Sequence, residues 1–250
     1  MVLDLWALFA LGLVGVAAGF VDAIAGGGGL IGVPALLLAG LPPIGALATN
    51  KLQGAIGTAV AAFTFWRRGF VDIGSLLLGV VVTYVGSLVG AFTVKSLDTS
   101  TLSVFIPVAL IAVSIYFLFA PKLTDEDRTA RLPFAMFVPV FGFFIGFYDG
   151  VFGPGTGSFF TIAFIAVFGL GVTRAAAHTK VLNLTSNLAA LTLFIPSGDV
   201  IWPIAAVMAV GQIIGGYLGA LTGIRFGARL IKPLVVIVSM ALAIRLLVFR

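Results

Sequence analysis

The sequence predicts an all-α polytopic membrane protein made of two related halves arranged as an inverted repeat. Three observations predict it. First, 61% of the 250 residues are apolar and only 9% are charged, against about half and a quarter in a soluble domain. So few charges cannot build a water-facing surface, and the mean hydropathy is +1.23. Second, apolar runs near the roughly 20 residues needed to cross a bilayer follow one another with short loops between them. Third, glycine, aspartate and lysine positions in the first half recur in the second. No run of Gly, Ser and Pro divides the chain, which reads as a single membrane domain over 1–250. Repeat 1 covers about 1–121, a linker about 121–132, and repeat 2 about 132–250.

Each half opens with an interrupted pair of segments. Residues 3–24 and 30–40 flank Gly26, Gly27, Gly28 and Gly29, while 133–152 and 158–169 flank Gly153, Pro154, Gly155, Thr156 and Gly157. The second member of each pair is too short to cross untilted, and glycine or proline at membrane depth leaves backbone groups that only protein or a cavity can satisfy. Each pair is therefore read as a glycine-broken helical hairpin. Three clean transmembrane helices follow in each half, at about 44–66, 72–94 and 101–120, then at about 172–196, 201–222 and 230–249. The opening Met1-Val2-Leu3-Asp4 reads as the start of a membrane segment, since no basic region and small-residue cleavage site mark a removable signal.

The basic residues set the orientation. With both hairpins returning to their own side, Arg67, Arg68, Lys122, Arg128, Arg131, Arg174, Arg225, Arg229 and Lys232 all fall on one side. The opposite loops carry little beyond Lys95, Asp98, Asp199 and Arg250. The positive-inside rule makes the basic side cytoplasmic and both termini extracytoplasmic. Scattered basic residues, rather than a basic stripe, argue against a nucleic-acid partner. The absence of cysteine rules out disulfides, iron–sulfur clusters and thiolate zinc sites, and no cofactor or metal is expected.

A shift of 127 residues carries Gly15, Gly19, Phe20, Asp22, Gly26 and Gly28 onto Gly142, Gly146, Phe147, Asp149, Gly153 and Gly155. After a two-residue slip, a shift of 129 carries Lys51, Gly69, Gly86, Gly90 and Ala91 onto Lys180, Gly198, Gly215, Gly219 and Ala220. The charged matches weigh most, because ionisable residues within spans are rare. Equivalent loops are basic in one half and bare in the other, so the repeat is inverted, a recurrent transporter design. The repeated Gly-xxx-Gly pairs suit close helix packing.

Several residues could carry chemistry. Gly27 to Gly32 matches a dinucleotide fingerprint in letters only, for the strand and βαβ context are missing. A glycine break followed by a helix start instead offers free N–H groups and a positive dipole end, which suits an anion. The candidate substrate-binding set is Gly26, Gly27, Gly28, Gly29, Asn50, Lys51, Gly153, Gly155, Thr156, Gly157, Lys180, Asn183 and Asn187. The lysines either compensate substrate charge or snorkel to headgroups. The two asparagines, one turn apart, either coordinate substrate or bond between helices. Asp22, Asp149 and His178 are the candidate coupling residues; the aspartates could equally cap the breaks or pair with a lysine, and the histidine could serve as a local hydrogen-bond partner.

The doubled pattern resembles the TauE/SafE family of sulfite and organosulfonate exporters over essentially the whole chain. The resemblance rests on Gly19-Phe20-Val21-Asp22 running to Gly29 with Pro34, then Ala48-Thr49-Asn50-Lys51, and on their echoes from Gly146 to Gly157 and from Lys180 to Asn187. It implies a multi-pass permease of a bacterial-type inner membrane for sulfite, a sulfonate or a related anion. The expected function is thus secondary transport of a small anion rather than an enzyme activity, with the lipid bilayer as its other partner. The alternatives are an intramembrane aspartyl-type protease, for which two membrane aspartates are available, and a non-transporting scaffold. Glycine-rich faces permit a homodimer without requiring one.

The cysteine-free chain makes the orientation testable. A Ser197→Cys variant should react with a membrane-impermeant maleimide on intact cells, whereas Thr129→Cys should react only after permeabilisation.

Overall fold

The computed structural model describes residues 4–119, 127 and 129–226, and within them all regular structure is helical. The elements are α1 (Leu5–Ala25), α2 (Gly29–Leu38), α3 (Pro43–Arg67), α4 (Leu77–Lys95) and α5 (Thr99–Phe119), then α6 (Phe134–Phe137), α7 (Phe143–Val151), α8 (Thr156–Ala163), α9 (Val172–Phe194) and α10 (Trp202–Phe226). A wide π turn at Val138–Gly142 joins α6 to α7, where Pro139 can supply no N–H, and another at Phe164–Phe168 extends α8. The expected span at 230–249 lies outside the described residues.

Local chemistry explains where the helices start. Asp4 caps α1 by accepting from the N–H groups of Trp6 and Ala7. The expected span at 72–94 begins later, because Asp72 builds a turn: it accepts from Gly74 N at 3.1 Å, and its carbonyl takes the Ser75 hydroxyl. A short 3-10 turn at Gly74–Leu76 then leads into α4. Asp98 caps α5, and hydrogen bonds from the Ser100 hydroxyl and the Thr101 N–H hold its carboxyl below the usual carboxylate range.

Leu5–Ala25, Gly74–Lys95 and Trp202–Phe226 are long and apolar enough to cross a membrane. α3 and α9 are as long but carry the polar residues, and these are buried: Thr49, Asn50, Lys51 and Gln53 on α3, with Thr179, Lys180, Asn183 and Ser186 on α9. Meanwhile Val81, Val85, Val89 and Phe92 of α4, and Val210, Ile213, Ile214 and Tyr217 of α10, stand exposed. Polar inside and apolar outside is the arrangement lipid demands.

Glycines set how the helices pair. α1 lies along α10 and α7 along α4. A methyl group on Gly15 would fall 2.5 Å from Met208 O, and one on Gly219 would strike Phe20 O. The same holds for Gly146 against Thr83 O, at 2.6 Å, and for Gly90 against Phe147 O. Contact positions rise together in both pairs, so each pair is parallel. α3 runs parallel to α10, with Gly45 beside Ile201, Gly57 beside Gln212 and Phe65 beside Gly223. α4 runs parallel to α9: Gly79 touches Leu182, Ser87 donates to Ser186 O at 2.6 Å, and Lys95 lies 5.8 Å over the Phe194 ring.

The two sets are mutually antiparallel. Asp199, just before α10, pairs with Lys95 at the end of α4, and Thr49 near the start of α3 accepts from Ile201 N. Thus α1, α3 and α10 run one way and α4, α7 and α9 the other.

Where a backbone carbonyl already fills the place of a Cβ, alanine overpacks the contact at a cost of about 1–3 kcal/mol. Gly146→Ala should therefore lower thermal stability in detergent, while Gly223→Ala, which meets neighbours only at 3.7 Å or beyond, should leave it unchanged.

Candidate functional site

The site forms where the two glycine breaks meet. α1 ends because Gly26 takes the left-handed conformation, φ 74°, with its N–H bonded to Asp22 O at 2.8 Å. The second break turns at Gly153 and Gly155, with φ 95° and 87°. Gly26 and Gly157 lie back to back: a methyl on Gly157 would fall 2.5 Å from Gly26 Cα. The Ser158 hydroxyl donates to Ala25 O, and Gly29 lies against Pro154. Only glycine lets two helix ends cross this closely.

Two ion pairs bracket the crossing, and each joins one half to the other. Lys51 Nζ on α3 lies 2.7 Å from Asp149 Oδ2 on α7, with both side chains 2% exposed. Neither atom has a further hydrogen-bond partner. Lys180 on α9 donates to Asp22 O and, at 3.0 Å, to Asp22 Oδ2, and the two side chains are 1% and 13% exposed. The lysines occupy matching places: each lies eight residues past its helix start, Pro43 or Val172, about 12 Å in at 1.5 Å per residue. Glycine again makes room, since a methyl on Gly153 would sit 2.9 Å from Lys51 Nζ.

A small polar cavity opens beside the Lys51–Asp149 pair. About 20 Å³ of it is open to the centre of a water molecule, enough to hold water. Of the residues named from sequence, Asp22, Gly26, Gly28, Gly29, Asn50, Lys51, Asp149, Gly153, Asn183 and Asn187 line it. The others are placed elsewhere. Lys180 reaches Asp22 from behind, and Gly157 is taken up by Gly26. The Thr156 hydroxyl donates to Gly153 O at 2.7 Å. Gly27 and Gly155 shape the turns without lining the cavity. His178 lies away from it, its Nδ1 2.7 Å from Arg174 O and its ring against Phe164, which is the local partnership the sequence left open. Asn187 donates to Asn183 O at 2.9 Å, a bond within α9 rather than between helices. Near the start of α9, the Gly171 N–H and then the Arg174 guanidinium hold the Asp127 carboxyl below its usual range.

Gln53, Gly54, Thr58 and Gln212 complete the lining, and sequence reasoning did not place them there. Gln212 donates to Gln53 Oε1, and Gln53 donates to Asn50 Oδ1 at 2.7 Å, so three amides form a chain ending at the cavity. The signal for Gln212 was present as an amide within the apolar run of α10, although the 129-residue shift sets it opposite Thr83 rather than a second amide. Thr83 Oγ1 and Gln212 Oε1 are both buried without a hydrogen-bond partner.

The family model described as "Sulfite exporter TauE/SafE" matches residues 11–246. The chain belongs to the TauE/SafE family. A "Probable membrane transporter protein" of Haemophilus influenzae is 45% identical over 226 residues, covering 90% of this chain and 89% of that protein. The "Probable membrane transporter protein YfcA" of Escherichia coli K12 is 45% identical over 233 residues, covering 92% of this chain and 86% of its own length. A more distant relative, YunE of Bacillus subtilis, bears the same description at 26% identity over 235 residues. The protein is an integral membrane transporter of this family.

Removing one partner of a buried ion pair strands the other and costs about 3–5 kcal/mol, whereas removing both can be nearly neutral. Lys51→Met alone should markedly lower thermal stability in lipid nanodiscs, and Lys51→Met/Asp149→Asn should recover most of the loss.

Proposed function

We propose that this TauE/SafE protein is a secondary transporter that carries sulfite, an organosulfonate or a related sulfur oxyanion across a bacterial-type inner membrane. The observation that carries the reading is the cavity beside the Lys51–Asp149 pair. It combines a buried ammonium, the Asn50 amide and the glycine-lined start of α2, which are the groups that bind an oxyanion. In this reading the substrate replaces Asp149 as the partner of Lys51, while the amide chain from Gln212 holds Asn50 in place.

Alternating access would follow from an inverted repeat. The repeat shifts exchange α1, α3 and α4 with α7, α9 and α10. The set α1, α3 and α10 thereby becomes α7, α9 and α4, which runs the opposite way. Antiparallel sets of this kind are what two inverted halves produce. The directions also agree with a cytoplasmic basic side, since α1, α3 and α10 would all start outside. Glycine-broken hairpins that touch at Gly26 and Gly157 give each half a short segment able to uncover the cavity from its own side.

The aspartyl-protease alternative finds no support in the geometry. Such an enzyme needs two carboxylates that share a proton, and here each carboxylate is held by a lysine of the other half.

Purified protein in liposomes loaded with sulfite, or separately with a small sulfonate, tests the reading. Wild type should release the anion, and Lys51→Met/Asp149→Asn should slow release roughly 10- to 100-fold, the worth of a charged hydrogen bond at about 1.5–3 kcal/mol. Undiminished release by that folded variant would remove Lys51 from the site.

A further inference from the structure

Four ionisable side chains lie between the helices around the crossing: Asp22, Lys51, Asp149 and Lys180. Their formal charges sum to zero. A monovalent anion entering this cavity, as the carrier reading requires, adds one full negative charge with no fixed positive charge to balance it. Burying an unpaired ion costs several kcal/mol, so the resting site as built resists the anion it would carry.

The Lys51–Asp149 pair offers the way out. For the Lys51 ammonium to turn to a substrate, it must leave Asp149 Oδ2, which has no other hydrogen-bond partner. A proton on that carboxylate removes both difficulties: it cancels the charge abandoned by Lys51 and restores neutrality once the anion is bound. The second pair is not arranged this way. Lys180 does not line the cavity, and its ammonium is held by two oxygens of Asp22, one of them the carbonyl that also ends α1 at Gly26. Opening it would cost the Lys180 ammonium two acceptors at once.

The surroundings of Asp149 supply no competing charge. Lys51 faces it from α3, and Tyr148 beside it gives its hydroxyl to Pro154 O at 2.6 Å. α4 presents Ser87, Gly90 and Ala91 to α7. Across the cavity stand the amides of Asn183, Asn187 and Gln212, with Asp22 already paired to Lys180. On α8, Thr156 is bonded to Gly153 O. His178 lies off the cavity.

We infer that one proton, borne by Asp149, moves with each monovalent anion, so that the carried unit is neutral while the Lys180–Asp22 pair stays closed. No bond is made or broken except the O–H of that carboxyl.

The experiment uses wild-type protein in liposomes and a labelled alkanesulfonate, which stays a monoanion over the whole working pH range. A potassium gradient with valinomycin sets the membrane potential, and an internal dye reads protons. A tenfold proton gradient should accumulate sulfonate about tenfold, one proton per anion, and potential alone should accumulate none, because a neutral unit feels no field. Asp149→Asn imitates the protonated carboxyl permanently, so its sulfonate movement should lose the proton and become driven by potential; in whatever flux Asp22→Asn retains, one proton should still accompany each anion. Should Asp149→Asn fail to fold, Lys51→Met/Asp149→Asn takes its place, and its residual sulfonate flux should likewise carry no proton. Sulfonate driven by potential without protons, or by sodium instead, would overturn the inference and leave the carrier reading standing. Proton movement lost in Asp22→Asn and kept in Asp149→Asn would overturn the assignment to Asp149. Failure of any small anion to move in wild type would overturn the carrier reading and this inference together.

Discussion

A charge inside a membrane protein cannot be left alone, and the centre of this structure is organised by that constraint. Each half contributes one buried lysine and one aspartate, Asp149 buried and Asp22 partly exposed, and each lysine neutralises the aspartate of the other half. Each half is formally neutral, but neither pairs its own two charges with each other. The ion pairs therefore act as cross-braces, and they hold the two glycine breaks against each other at Gly26 and Gly157. Buried ion pairs add little net stability over an apolar replacement. Their value here lies in what else they permit: a lysine kept charged and in place beside a cavity.

The glycines make that placement sterically possible. Parallel contacts of α1 with α10 and of α7 with α4 bring backbone carbonyls where a Cβ would otherwise sit, and the helices consequently approach closely without large side chains between them. The same economy applies at Gly153, where the missing side chain leaves room for the Lys51 ammonium. Packing and chemistry draw on one residue type for one reason, close approach. The halves are still not chemically alike. The cavity lies beside Lys51, with amides from α3, α9 and α10, whereas Lys180 is sealed against Asp22. The two lysines thus sit in unlike surroundings, and the proposed proton step depends on that difference.

Much of this was legible in the sequence, because lipid imposes strong patterns. The hairpin arms, their breaks at Gly26–Gly29 and Gly153–Gly157, and the helices that follow were marked by apolar runs and glycines. The start of α4 was misplaced by a few residues, since the turn built by Asp72 depends on a side chain rather than on hydropathy. The choice of ion-pair partners was not legible. Internal repetition reveals which positions are equivalent, such as Lys51 and Lys180, but equivalence says nothing about contact, and the contacts run crosswise. Gln212 was overlooked for a related reason: its repeat mate is Thr83, so no repeated charge or amide drew attention to it. Only the fold brings it within reach of Gln53.

The crosswise Lys51–Asp149 and Lys180–Asp22 pairs require a carboxylate at each aspartate in the resting protein. Infrared difference spectroscopy in lipid, wild type minus Asp22→Asn and wild type minus Asp149→Asn, tests this directly. Each difference should show the loss of carboxylate bands with no neutral carboxyl signal. A neutral carboxyl band that disappears with either substitution would mean that the aspartate concerned is protonated at rest, and would overturn the crosswise ion pairs.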